Sequence, residues 1–191
     1  MKTLVTLAAF FVLAVPAALA VPPSGQDDHG SSATSNNTAP SASQLCKEQR
    51  RTIGMAAFRL LYAPAGSPKA AMDACLAKQQ HVASTDAKNA AKACKAERGT
   101  TPESIAAFND KYGTNPNKRN AFGKCVSMKE HEMADEHQEA TLNAAKKCKA
   151  ERGTTPESIA AFNNKYGMNA NKKNAFGKCV SKLAKAQGSS S

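Results

Sequence analysis

The strongest constraint on the fold is an internal repeat bracketed by cysteines. Residues 94–127 read CKAERGTTPESIAAFNDKYGTNPNKRNAFGKCVS, and residues 148–181 read CKAERGTTPESIAAFNNKYGMNANKKNAFGKCVS. They differ only at Asp110/Asn164, Thr114/Met168, Pro116/Ala170 and Arg119/Lys173. A diverged copy spans Cys46–Cys75, where Ala56-Ala57-Phe58 and Tyr62 match Ala106-Ala107-Phe108 and Tyr112 after a two-residue gap. The step from Tyr to the second Cys is 13 residues in all three: 62 to 75, 112 to 125 and 166 to 179. Such periodicity sets the architecture before any local reading does.

Each unit parses as helices with punctuation. Residues 87–98 are good helix formers, and Gly99 follows as a stop. Thr101-Pro102-Glu103 reads as N-cap, N1 proline and early acid, and Thr155-Pro156-Glu157 repeats it. Ile105, Phe108 and Tyr112 then fall on one helix face, and Gly113 ends the helix. Asn115-Pro116 reads as another cap, opening a helix from about 116 to about 152 that contains Phe122, Cys125 and Val126 and joins units 2 and 3. Leu76–Ala93 resembles a second joint, but Ser84-Thr85-Asp86 offers a break and a new cap. No run alternates with the period of a strand. The expected fold is all-α: three tandem disulfide-stapled helical hairpins, with residues 46–85, 86–139 and 140–185 as the units.

The flanks read differently. Lys2, the uncharged run 3–20 and Ala18-Leu19-Ala20 form an export signal with cleavage after Ala20. Residues 21–45 are rich in Ser, Pro, Asn and Thr, and are expected to be a disordered leader. Asn36-Asn37-Thr38 has the form of a glycosylation sequon. Residues 186–191 are expected to fray. The predicted protein is therefore secreted, with no membrane span after processing.

Six cysteines in an exported chain imply disulfides, and the repeat narrows 15 possible pairings. Cys125 and Cys148 would lie roughly 35 Å apart on one long helix, whereas a disulfide needs Cα atoms about 4.4–6.8 Å apart. Pairing within units predicts Cys46–Cys75, Cys94–Cys125 and Cys148–Cys179. Each closes a loop of about 30 residues, which the chain-entropy model values at roughly 3.5–4 kcal/mol. That matters in a chain only 5% aromatic, which has little with which to build a large core. The same scarcity argues against a deep enzyme pocket.

Charge is the other signal, at a formal +11. Basic clusters recur with the repeat: Lys92, Lys95, Arg98, Lys118, Arg119 and Lys124 in unit 2, then Lys146, Lys149, Arg152, Lys172, Lys173 and Lys178 in unit 3. Glu130, Glu132, Asp135, Glu136 and Glu139 make the joint between them acidic. Repeated basic faces can engage an extended polyanion multivalently: acidic polysaccharide, cell-wall polymer or extracellular DNA. The Tyr and Phe rings are assigned to cores, leaving none for base stacking. His131 and Asp135 stand one helical turn apart and could share a metal ion, but H-E-x-x-H is incomplete, so the stretch reads as a solvated face. No nucleophile elbow, phosphate loop or dinucleotide fingerprint occurs, and no cofactor is implied.

The C-K-A-E-R…I-A-A-F…Y-G-x-N…N-A-F-G-K-C-V-S pattern resembles short cysteine-bracketed repeats of uncharacterised secreted bacterial proteins. That resemblance implies an exported setting and transfers no activity or site residue. The expected role is non-enzymatic binding of acidic polymers or an anionic surface. Its rivals are a protective or inhibitory factor that binds a protein through an exposed helix pair, and an unrecognised hydrolase.

Overall fold

A computed structural model describes residues 39–188 of the chain. The expected signal at 1–20, the sequon at Asn36, the leader up to residue 38 and the last three residues lie outside the described residues. The described chain is all-α, with no strand. Its helices are α1 (Ala42–Ile53), α2 (Met55–Tyr62), α3 (Pro68–Arg98), α4 (Pro102–Tyr112), α5 (Ala121–Arg152), α6 (Pro156–Tyr166) and α7 (Ala175–Gly188).

Caps explain most boundaries. The Thr101 and Thr155 hydroxyls accept from the backbone N–H of Ser104 and Ser158, each ahead of an N1 proline. Four boundaries differ from the sequence expectation. The leader does not run to residue 45, because Ser41 and Gln44 form a reciprocal capping box that starts α1 at Ala42. The C-terminal helix continues past Ala186 to Gly188. There is no break at Ser84-Thr85-Asp86: α3 runs through it, the Thr85 hydroxyl donates to the His81 carbonyl at 3.0 Å, and Asp86 is buried instead of capping. The long joint starts at Ala121, not near 116, because Lys118 takes a left-handed φ of 54° that no helix can contain.

The disulfides are Cys46–Cys75, Cys94–Cys125 and Cys148–Cys179, each with Cα atoms 6.0 Å apart. All six half-cystines are fully buried. α3 and α5 pack antiparallel: Cys94 joins Cys125 near one end, while Asp86 meets His137 further along. The chain thus runs out along α3 and back along α5, returning the third unit to the first.

Two cores result. The smaller holds Phe108, Tyr112, Ala121 and the Cys94–Cys125 bridge, with Val126 against it. The larger mixes the first and third units, joining Ile53, Phe58 and Ala71 to Ala144, Phe162, Phe176 and Val180 around two disulfides. Gln49, fully buried on α1, closes the polar account inside it. It accepts from the Tyr62 hydroxyl and donates to Gln138 at 2.6 Å, and Gln138 donates to the Leu45 carbonyl. Burying the Gln49 amide without partners would cost on the order of 1–3 kcal/mol.

Candidate functional site

Three of the six basic residues nominated in the second unit meet at a cleft between the end of α3, α4 and the loop 113–120. Arg98 reaches it from the last turn of α3, and Lys118 and Arg119 from the loop; Asn109 and Asn117 complete the polar wall. Phe108 and Phe122, ring centroids 6.4 Å apart, form the floor. The volume is about 280 Å³.

Local chemistry fixes this geometry. Gly99 turns the chain after Arg98 at φ 64°, and a Cβ there would stand 2.6 Å from the Ser104 hydroxyl. Gly113 lets the loop close over α4, since a Cβ would meet the Asn109 carbonyl at 2.5 Å and the Lys118 side chain at 2.7 Å. The Asn120 side chain ties the loop at both ends of its amide, accepting from Thr114 N–H at 3.1 Å and donating to its hydroxyl at 2.7 Å. Asn117 accepts from Arg119 N–H at 3.1 Å. The left-handed φ of Lys118, a strained setting for a long side chain, is repeated at Lys172.

Electrostatically the cleft is positive and little compensated. Lys118 lies 3.8 Å from Asp110, an acid that is 78% exposed. Arg98 and Arg119 make no ion pair among the described residues. Two other cations of this unit, Lys111 and Lys129, are paired. Glu97 takes Lys111 at 2.5 Å, Lys129 at 3.5 Å and the Tyr112 hydroxyl at 2.8 Å. Those donors, Lys111 first, hold the Glu97 carboxyl below its usual range. Glu151, Lys165 and Tyr166 repeat the arrangement.

The structure sorts the twelve nominated cations unevenly. Lys92 and Lys95 are exposed on α3 and share a face with Arg98. Lys124 is exposed on α5 beyond the cleft. In the third unit, Lys146 and Lys149 are exposed, Arg152 is half-buried, and Lys172 donates to Asn164. Lys173 and Lys178 are exposed. Lys118, Arg119, Lys172 and Lys173 sit in loops and do not open the last helix of their units, for the backbone reason given above.

The two near-identical segments part at one aromatic. Phe122 is 38% exposed, whereas its counterpart Phe176 is 3% exposed within the core containing Phe58. The assignment of every aromatic to a core therefore fails at Phe122. Sequence could not flag it, because Ala-Phe-Gly-Lys-Cys-Val-Ser is the same in both copies. On the acidic joint, His131 pairs with Asp135 at 2.9 Å on the surface. No family model, curated protein or solved structure matches the chain.

Proposed function

We propose that the protein is exported and acts without catalysis, binding acidic polymers through the basic faces of its repeats. The observation that carries this is the convergence of Arg98, Lys118 and Arg119 over an open aromatic floor. Two guanidiniums and an ammonium suit a phosphate, sulfate or carboxylate, and Arg adds bidentate geometry. The exposed part of Phe122 offers a face for an adjoining sugar or base. Lys92 and Lys95 extend the positive track along α3. Three disulfides fit the oxidising setting that this reading requires.

The test is a salt titration of binding to acidic polysaccharide, cell-wall polymer and DNA. Three phosphate contacts predict a slope of log affinity against log salt of about −2 to −3 from this cleft. Substituting Arg98→Ser with Arg119→Ser should flatten it by about 1.5–2. No detectable binding to any polyanion at low salt rejects the proposal. The protein-partner reading has one observation in its favour, the exposed Phe122 and Met128 on α5. It predicts an interaction that loses little affinity between low and physiological salt.

A further inference from the structure

A second cavity, about 160 Å³, lies between the start of α1, the middle of α3 and the acidic stretch of α5. Leu45, Val82 and Ala134 give it an apolar lining, and Asp86, His137 and Glu130 bring polar groups to it. Asp86 is 4% exposed. Its Oδ1 lies 3.3 Å from His137 Nε2, while its Oδ2 is fully buried and has no hydrogen-bond partner among the described residues. A buried carboxylate oxygen without a donor is costly, and native proteins rarely leave one so. An acid set in this apolar wall calls for a cation bearing N–H donors.

The first residue of α1, Ala42, also faces the cavity. No cluster of three His, Cys, Asp or Glu among the described residues could hold a metal ion, so the donor set suits an organic cation better. The volume is close to the roughly 150 Å³ cavity that accepts benzene in another protein.

We propose that this cavity binds a small apolar ammonium ligand, a short alkyl- or arylalkylamine. The ammonium pairs with the Asp86 carboxylate at the cavity wall, and the hydrocarbon body rests on Leu45, Val82 and Ala134. Glu130 adds a second attraction at the cavity wall. The inference stands independently of the polyanion proposal, since it uses a different face and the opposite ligand charge.

The test is calorimetric or NMR titration of the full chain with benzylamine, benzyl alcohol and benzoate as probes of one shape and three charges. The expected result is saturable benzylamine binding, with benzyl alcohol at least about tenfold weaker, the worth of a charge-assisted hydrogen bond, and benzoate weaker still. Asp86→Asn should lower benzylamine affinity about tenfold and erase its advantage over the alcohol. Ala134→Leu keeps the carboxylate but fills the cavity, and should abolish binding of both. Circular dichroism and melting confirm that each variant is folded; if Asp86→Asn does not fold, the Ala134→Leu variant and the three-probe comparison decide alone. Equal affinity for benzylamine and benzyl alcohol, or no binding by either, overturns the proposal.

Discussion

Phe122 and Phe176 offer a test in which chemistry is held constant and only tertiary cover changes. Both sit in Ala-Phe-Gly-Lys-Cys-Val-Ser, and both rings lie 6.4 Å from the preceding Phe of their unit, Phe108 or Phe162. Phe176 is 3% exposed and Phe122 38% exposed. Truncating a fully buried Phe to Ala costs about 3–5 kcal/mol, part of which is the cavity left behind. Phe122 already meets water, so its truncation opens a notch without an enclosed void and loses only part of the transfer energy, about 1–2 kcal/mol. Phe176→Ala should therefore be more destabilising than Phe122→Ala by about 2 kcal/mol. The neighbouring glycines supply a second contrast. A Cβ at Gly177 would stand 3.2 Å from the Leu61 carbonyl, whereas at Gly123 it meets nothing within 4 Å. Gly123→Ala should stabilise by about 0.5–1 kcal/mol through helix propensity, and Gly177→Ala should gain less or lose. The assay is urea unfolding of the oxidised protein by far-UV circular dichroism. Hydrogen exchange of residues 121–126 and 175–180 would separate melting of the small core from melting of the large one. Equal costs for the two Phe variants would refute the packing of the first unit on the third.

Three further outcomes follow from the same geometry. Glu97 and Glu151 have carboxyls held below the usual value of 4.5 by Lys111 and Lys165, so their stabilisation is complete above that value and is lost as pH falls through the lowered one. Melting temperature should drop on the acid side, and Glu97→Gln with Glu151→Gln should flatten that drop. Burial pushes the Tyr62 hydroxyl up to about 12, against hydrogen bonds with Gln79 and Gln49 that lower it. Ultraviolet titration should show a late tyrosine that vanishes in Tyr62→Phe, and folding stability should fall as pH rises from 10 towards 12. Replacing both Cys148 and Cys179 with Ala should cost roughly 3.5–4 kcal/mol by the chain-entropy model, read from the urea midpoint.

Much of the local structure was legible because its causes are local. Thr-Pro-Glu starts α4 and α6 through a hydroxyl cap and a preset φ, whatever surrounds them. The cysteine pairing was legible because a long helix forbids the alternative across the joint. The failures came where a local signal was outvoted. Ser84-Thr85-Asp86 has cap chemistry, yet α5 lies beside α3 there, with His137 against Asp86, and the helix continues. Asn115-Pro116 has helix-start chemistry, yet the left-handed Lys118 delays the helix to Ala121. The basic residues of the cleft could be nominated by their recurrence, but not their meeting point, which depends on how the loop folds back over Gly113.

The sequence by itself determined α4 and α6 with their caps, the covalent frame and the charge carried by each unit, because these follow from local chemistry and from the repeat. It could not distinguish the second unit from the third, since two segments differing at four positions carry the same local instructions. Tertiary structure broke that degeneracy. Two long antiparallel helices return the third unit to the first, whose apolar surface buries Phe176, while the second unit stands at the far end with Phe122 open beside Arg98, Lys118 and Arg119. The physical reason is that hydrophobic burial is non-directional and is settled by which surfaces the chain brings together.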